Sequence, residues 1–101
     1  MATVSKTLFR GAATTTTSTV LYTVPSATTA VVTSIVITNT AGSAGTFTLA
    51  LGGTNLATTI TVGAYDSTVI DLKQVLTAAQ TITGGASATT INFHISGVEI
   101  V

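Results

Sequence analysis

Charge is what this sequence has least of. Its 101 residues include three Lys or Arg and three Asp or Glu, 6% in all against the roughly 25% of an ordinary soluble domain, and the net charge is zero. With no excess of either sign there is no electrostatic footprint for nucleic acid or an anionic membrane surface. So few charges also give little colloidal repulsion, which favours association. Cysteine is absent, excluding a disulfide framework and thiolate chemistry. A domain of this size must then be held by its core or by neighbouring subunits. No apolar run is long enough to span a membrane, and MATVSKTLFRG holds no signal-peptide core. Synthesis and first folding in a cytoplasm are therefore expected.

Hydroxyls and β-branched side chains take the place of charge; threonine alone is about a quarter of the chain. From Val20 to Leu51 the pattern predicts three strands: a run to Val24, with Val20, Tyr22 and Val24 on one face, ended by Pro25; a long run from Ala30 to Thr40; and an alternating run from Thr46 to Leu51. Val31 to Ile37 is apolar on both parities, so both of its faces should be covered, by the sandwich or by another chain. Leu51-Gly52-Gly53-Thr54 signals a two-residue hairpin. Ile60 and Val62 mark the next strand, Ile70 and Leu72 another, and Ile82 a short one. In the last run Ile91, Phe93 and Ile95 face in, with a bulge at Gly97 that should turn Val98 and Ile100 inward. Lys73 to Gln80 alone has some helical propensity, over too few residues to separate a helix from a loop.

About eight short strands separated by Gly, Ser and Pro turns predict an all-β fold, a single antiparallel β-sandwich, jelly-roll or immunoglobulin-like in topology. Residues 18–101 would form the sandwich. Residues 1–17 would form an extended N-terminal arm, in which alternating Lys6 to Ala12 reads as a strand or an extended arm, and a Thr-rich linker or loop.

No constellation for catalysis stands out. His94 is the sole histidine, on the polar parity of the last strand, with no Ser or carboxylate at a triad spacing. Asp66, Asp71 and Glu99 are scattered, so neither a metal site nor a cofactor is expected. Thr-x-Thr pairs such as Thr59 and Thr61 recur at irregular intervals, which β propensity explains without an ice-binding array. Sugars commonly stack on exposed aromatics; Tyr22 reads inward, leaving Tyr65 in a turn and Phe9, a weak signal. Lys6 and Arg10, two of three cations, share a parity near the start, as ordinary solvated charge or as a docking surface.

The segments LFRGAATTTTSTVLYTVPSATTAVVTSIVITNT, TFTLAL, STVIDLKQVLTAAQTI and INFHISGVEI resemble small β-sandwich structural proteins of tailed-bacteriophage virions, most of all capsid decoration (cement) proteins. The resemblance covers nearly the whole chain. It implies a non-enzymatic protein on the outer surface of the phage head, a homotrimer bound to the major capsid protein. It names no small-molecule substrate, nucleic acid or membrane. Lys6, Leu8, Phe9 and Arg10 would then grip the capsid, and Val32, Val36 and His94 would lie between subunits. A tail, fibre or baseplate module that attaches to host glycans is the alternative that the same resemblance leaves open.

Overall fold

The computed structural model describes residues 2–101. Among these the chain forms eight strands and no helix: β1 (Thr3–Ala12), β2 (Val20–Thr23), β3 (Thr29–Asn39), β4 (Gly45–Leu51), β5 (Thr54–Val62), β6 (Ser67–Leu76), β7 (Thr81–Ala86) and β8 (Ile91–Ile100). They build two antiparallel sheets of four, ordered β1-β8-β3-β6 and β2-β7-β4-β5. The fold is a β-sandwich, and the strand order decides its topology. Pairing is nested about one point, β4 with β5, β3 with β6, β2 with β7 and β1 with β8, like one long hairpin turning at Gly52-Gly53. Rolling that hairpin joins β3 to β8 and β4 to β7. This is a jelly roll; in immunoglobulin-like sheets many sequential strands pair, whereas here β4–β5 is the one such pair. The hairpin turn carries φ of +59° at Gly52 and +84° at Gly53, the left-handed values that a primed turn requires.

The core lies between the sheets. Val32, Ile35 and Ile37 of β3 and Ile91, Phe93 and Ile95 of β8 meet Phe47 and Leu49 of β4 and Ile82 of β7. Phe47 and Phe93 pack edge to face, centroids 6.2 Å apart. Each such side chain contributes about 1.5–3 kcal/mol by leaving water. That driving force is what makes the alternation of these strands so strict.

Four expectations change. The segment read as an arm is indeed extended, but Thr3–Ala12 pairs with β8 along its length and forms an edge strand of the first sheet. The Thr-rich stretch after it, Thr14–Thr19, is a loop held by its own hydroxyls: Thr14 and Thr19 share a 2.6 Å hydrogen bond, and Thr19 Oγ1 donates to Thr16 O at 2.9 Å. Lys73 to Leu76 belongs to β6, because pairing of Val75 and Leu76 with β3 outweighs the weak preference of so short a segment for helix. Val20 does not share a face with buried Tyr22, since the ladder to β7 slips by one residue between them.

The last change concerns Gly97. Strand β8 keeps its alternation past it, so Val98 and Ile100 stay on the outer face and Glu99 turns inward. The irregularity sits on the neighbours instead. Relative to β8, β1 carries an extra residue at Leu8 and β3 one at Thr33, and β6 slips against β3 at the same level. A line of bulges thus crosses three strands while β8 runs straight through.

Candidate functional site

Bulge geometry decides what the outer face of the β1-β8-β3-β6 sheet displays. On the far side of the bulges from Gly97, Arg10, His94, Val36 and Val69 form one cross-strand row. On the near side, Ser5, Val98, Val31 and Val75 form another. Between them runs a polar row of Thr7, Ser96, Ser34 and Asp71. Two shallow clefts follow this crease and share Thr33, one of about 510 Å³ beside Asp71 and Lys73, the other of about 430 Å³ beside Ser5, Thr7 and Ser96.

The valine rows are only partly covered by their own chain. Val31, Val36 and Val98 are half-buried, and Val69 and Val75 on the edge strand β6 stand 61% and 60% exposed. β-Branched side chains on an outer face are ordinary singly; here five share one sheet face. The double-sided apolar run of β3 therefore has one face in the core and one turned outward.

The residues expected to act as a group fall into different environments. Val32 is 0% exposed in the core, so a subunit contact cannot involve it: the bulge at Thr33 turns Val32 inward and Val36 outward. Val36 and His94 are direct cross-strand partners on the outer face, and Arg10 completes their row. Leu8 is buried and Phe9 packs against the core, both because the bulge offsets them from Arg10. Of the four residues expected to grip a capsid, Arg10 is thus free on the outer face. Sequence reading missed Val75, assigned to a helix-prone stretch, and Glu99, placed on the wrong parity.

Lys6 is occupied. Its ammonium lies 3.3 Å from both oxygens of Glu99, whose Oε2 also accepts a short hydrogen bond from the Tyr22 hydroxyl. Tyr22 belongs to the opposite sheet, so this trio ties the two layers together at the sandwich edge. The Tyr22 hydroxyl holds the Glu99 carboxyl below its ordinary range against the opposing effect of burial, and Lys6 adds to the lowering. Burial, and then the Glu99 carboxylate, push the Tyr22 phenol well above its ordinary range.

Opposite limbs of a stability profile follow. A carboxyl whose pKa is depressed on folding stabilises fully above its unfolded value, near 4.5, and that contribution fades as pH falls through the depressed value. A phenol whose pKa is raised stabilises fully below its unfolded value, near 10.0, and loses that contribution as pH rises beyond it. Thermal unfolding should thus show a plateau between the two. Tyr22→Phe should lower the plateau by about 2 kcal/mol, the worth of a hydrogen bond to a charged group. In a domain of this length that is roughly 10 °C. An unchanged melting temperature in Tyr22→Phe would mean that the bridge carries no energy.

The cross-strand neighbours of His94 are Arg10 and Val36, neither a carboxylate nor a nucleophile. Among the described residues no three His, Cys, Asp or Glu side chains cluster as metal ligands. What the site offers is a broad, nearly neutral surface. The sequence matches no protein-family model and no curated protein.

Proposed function

We propose that the chain is a non-enzymatic structural protein of a tailed-bacteriophage virion, a capsid decoration (cement) protein that binds the assembled head as a homotrimer and stabilises it. The observation that carries this reading is the outer face of the β1-β8-β3-β6 sheet, where Val69 and Val75 stand exposed and Val31, Val36 and Val98 are only half covered by their own chain. In a chain with 6% charged residues such a face has little to keep it solvated alone. Sister subunits are the covering that fits it, since the face bears few charges that a like surface would have to desolvate. The jelly roll supports the reading as a fold used in viral capsids, an argument by analogy that it also lends to lectins.

The major capsid protein is met elsewhere in this scheme. Edge strand β1 has one ladder partner, β8, and presents its other side unpaired. An extended segment of a capsid subunit adds to such an edge by main-chain hydrogen bonding, with Arg10 beside it for register. A protein that binds the assembled shell and not its separate subunits stabilises the shell by mass action, and three linked copies multiply the effect.

The test is direct. Purified protein should sediment as three 10.0 kDa chains and should rebind phage heads stripped of decoration, raising their resistance to heat. A protein that stays monomeric at high concentration and leaves stripped heads unbound would end the proposal.

A further inference from the structure

One end of the sandwich carries a feature that the assembly reading leaves unused. Tyr65, in the turn between β5 and β6, is 78% exposed, while Tyr22, Phe47 and Phe93 are buried and Phe9 packs against the core. Its φ is +53°, a backbone conformation that bulky residues seldom adopt. An aromatic is therefore held at a loop tip where glycine would sit more easily.

The ring also leans on the neighbouring loop. A Cβ added to Gly42, in the β3–β4 loop, would stand 3.1 Å from the Tyr65 hydroxyl and 3.5 Å from Cε2 and Cζ. The hydroxyl end of the ring thus lies against Gly42, in a loop whose other residues Ala41, Ser43 and Ala44 are small. The two loops are joined beneath it by Asn39, 1% exposed. Its Nδ2 donates to Ser43 O at 2.8 Å and to Gly63 O at 3.3 Å, and its Oδ1 accepts from Ala41 N at 3.0 Å. Tyr65 N donates to Ala41 O at 3.0 Å, closing the frame. A buried amide spent on two loops gives a rigid platform, so little ordering entropy remains to be lost on binding.

We propose that Tyr65 is a sugar-stacking platform: a pyranose ring lies on its free face, with hydroxyls reaching the Asp66 carboxylate and the hydroxyl groups of the neighbouring loops. Chemistry narrows the ligand class. The two loops, residues 40–44 and 63–66, hold one charge, Asp66, and no Lys or Arg. A phosphate-bearing ligand such as a nucleic acid would meet repulsion there and no compensating cation. A folded protein partner needs roughly 800 Å² per side, far beyond one ring and a rim of Gly, Ala and Ser. A neutral ring with apolar C–H faces and hydroxyl edges matches a flat aromatic beside a carboxylate. The site is separate from the valine face and stands whether or not the protein decorates a head.

The experiment is an NMR titration of the whole chain with methyl glycosides of glucose, galactose, mannose and N-acetylglucosamine, alongside a glycan array. The expected result is saturable shifts confined to Tyr65, Gly42 and Asp66 with at least one sugar. Tyr65→Phe should retain binding. Tyr65→Gly should fold as well as the parent, because φ suits glycine, yet bind roughly tenfold or more weakly. Gly42→Val, which displaces the ring without removing it, should weaken binding too. Absence of any shift at Tyr65 across the sugars and a blank array would overturn the proposal. So would a sugar that binds Tyr65→Gly as tightly as the parent.

Discussion

Val36→Asp should give a folded protein that no longer associates. Val36 sits near the middle of the outer face of the β1-β8-β3-β6 sheet, between His94 on β8 and Val69 on β6. In an isolated subunit the new carboxylate meets solvent, and Arg10 in the same row provides a cation. The cost to the monomer is then that of strand propensity, about 1 kcal/mol or less. In an assembly that covers this face the same carboxylate is desolvated, and an unpaired charge in an interface costs several kcal/mol. Association should weaken by ~100-fold or more. The readouts are sedimentation for assembly and thermal unfolding for the fold, taken on the same sample.

Val32→Asp is the contrasting variant. Val32 is four residues away on the same strand but has 0% exposure, and an unpaired charge there should prevent folding outright. A Val36→Asp protein that unfolds like Val32→Asp would place Val36 in the packing of the subunit itself. One that assembles as the parent does would remove the valine face from the interface. Either result would require the cement proposal to find another contact surface.

Why Val36 and Val32 were grouped in sequence explains how far a single sequence can be read. Alternation is local, so the strands of Val20–Leu51, the Gly52-Gly53 hairpin and the inward set Ile91, Phe93 and Ile95 were all legible. A bulge is not local. Whether Thr33 counts as one extra residue depends on its partners Gly97 and Ser96 more than sixty positions away, and a single slip reverses every later side chain. Val32 and Val36 share a parity in the sequence and opposite faces in the fold for that reason.

Topology was illegible for the same cause. Nested pairing of β1 with β8 is set by contacts that span nearly the whole chain, and both candidate sandwiches use strands of the same length and spacing. Buried polar residues show the limit most sharply. Asn39 and Glu99 read as ordinary polar positions, but Asn39 fastens two loops and Glu99 takes partners 77 and 93 residues distant. Tyr65 was visible as a turn aromatic; its platform was not, because Gly42 and Asn39 reach it only through the fold.

Gly97→Ala should be among the most damaging small substitutions in the chain. The added Cβ would lie 2.2 Å from Val31 O and 3.1 Å from the carbon of the same carbonyl, well inside contact distance with backbone that cannot swing aside. A third neighbour, Leu8 Cδ1 at 3.1 Å, fills the remaining space because the bulge on β1 turns Leu8 inward. Gly97 is therefore the point against which two bulged strands close, and a methyl group there must push β3 off β8. Those strands are the central pair of their sheet. Losing part of that ladder and its packing costs about 3–5 kcal/mol, at the upper end for one substitution. A domain of this size has roughly 5–15 kcal/mol in total, so a fall in melting temperature of ~15–30 °C, or failure to fold, is expected. Gly53→Ala is the control, with φ of +84° but nothing within 4 Å of its added Cβ; it should cost only the strain of a left-handed alanine, about 1 kcal/mol. Equal losses in the two variants would mean that backbone freedom, and not the closeness of β3, is what glycine supplies at position 97.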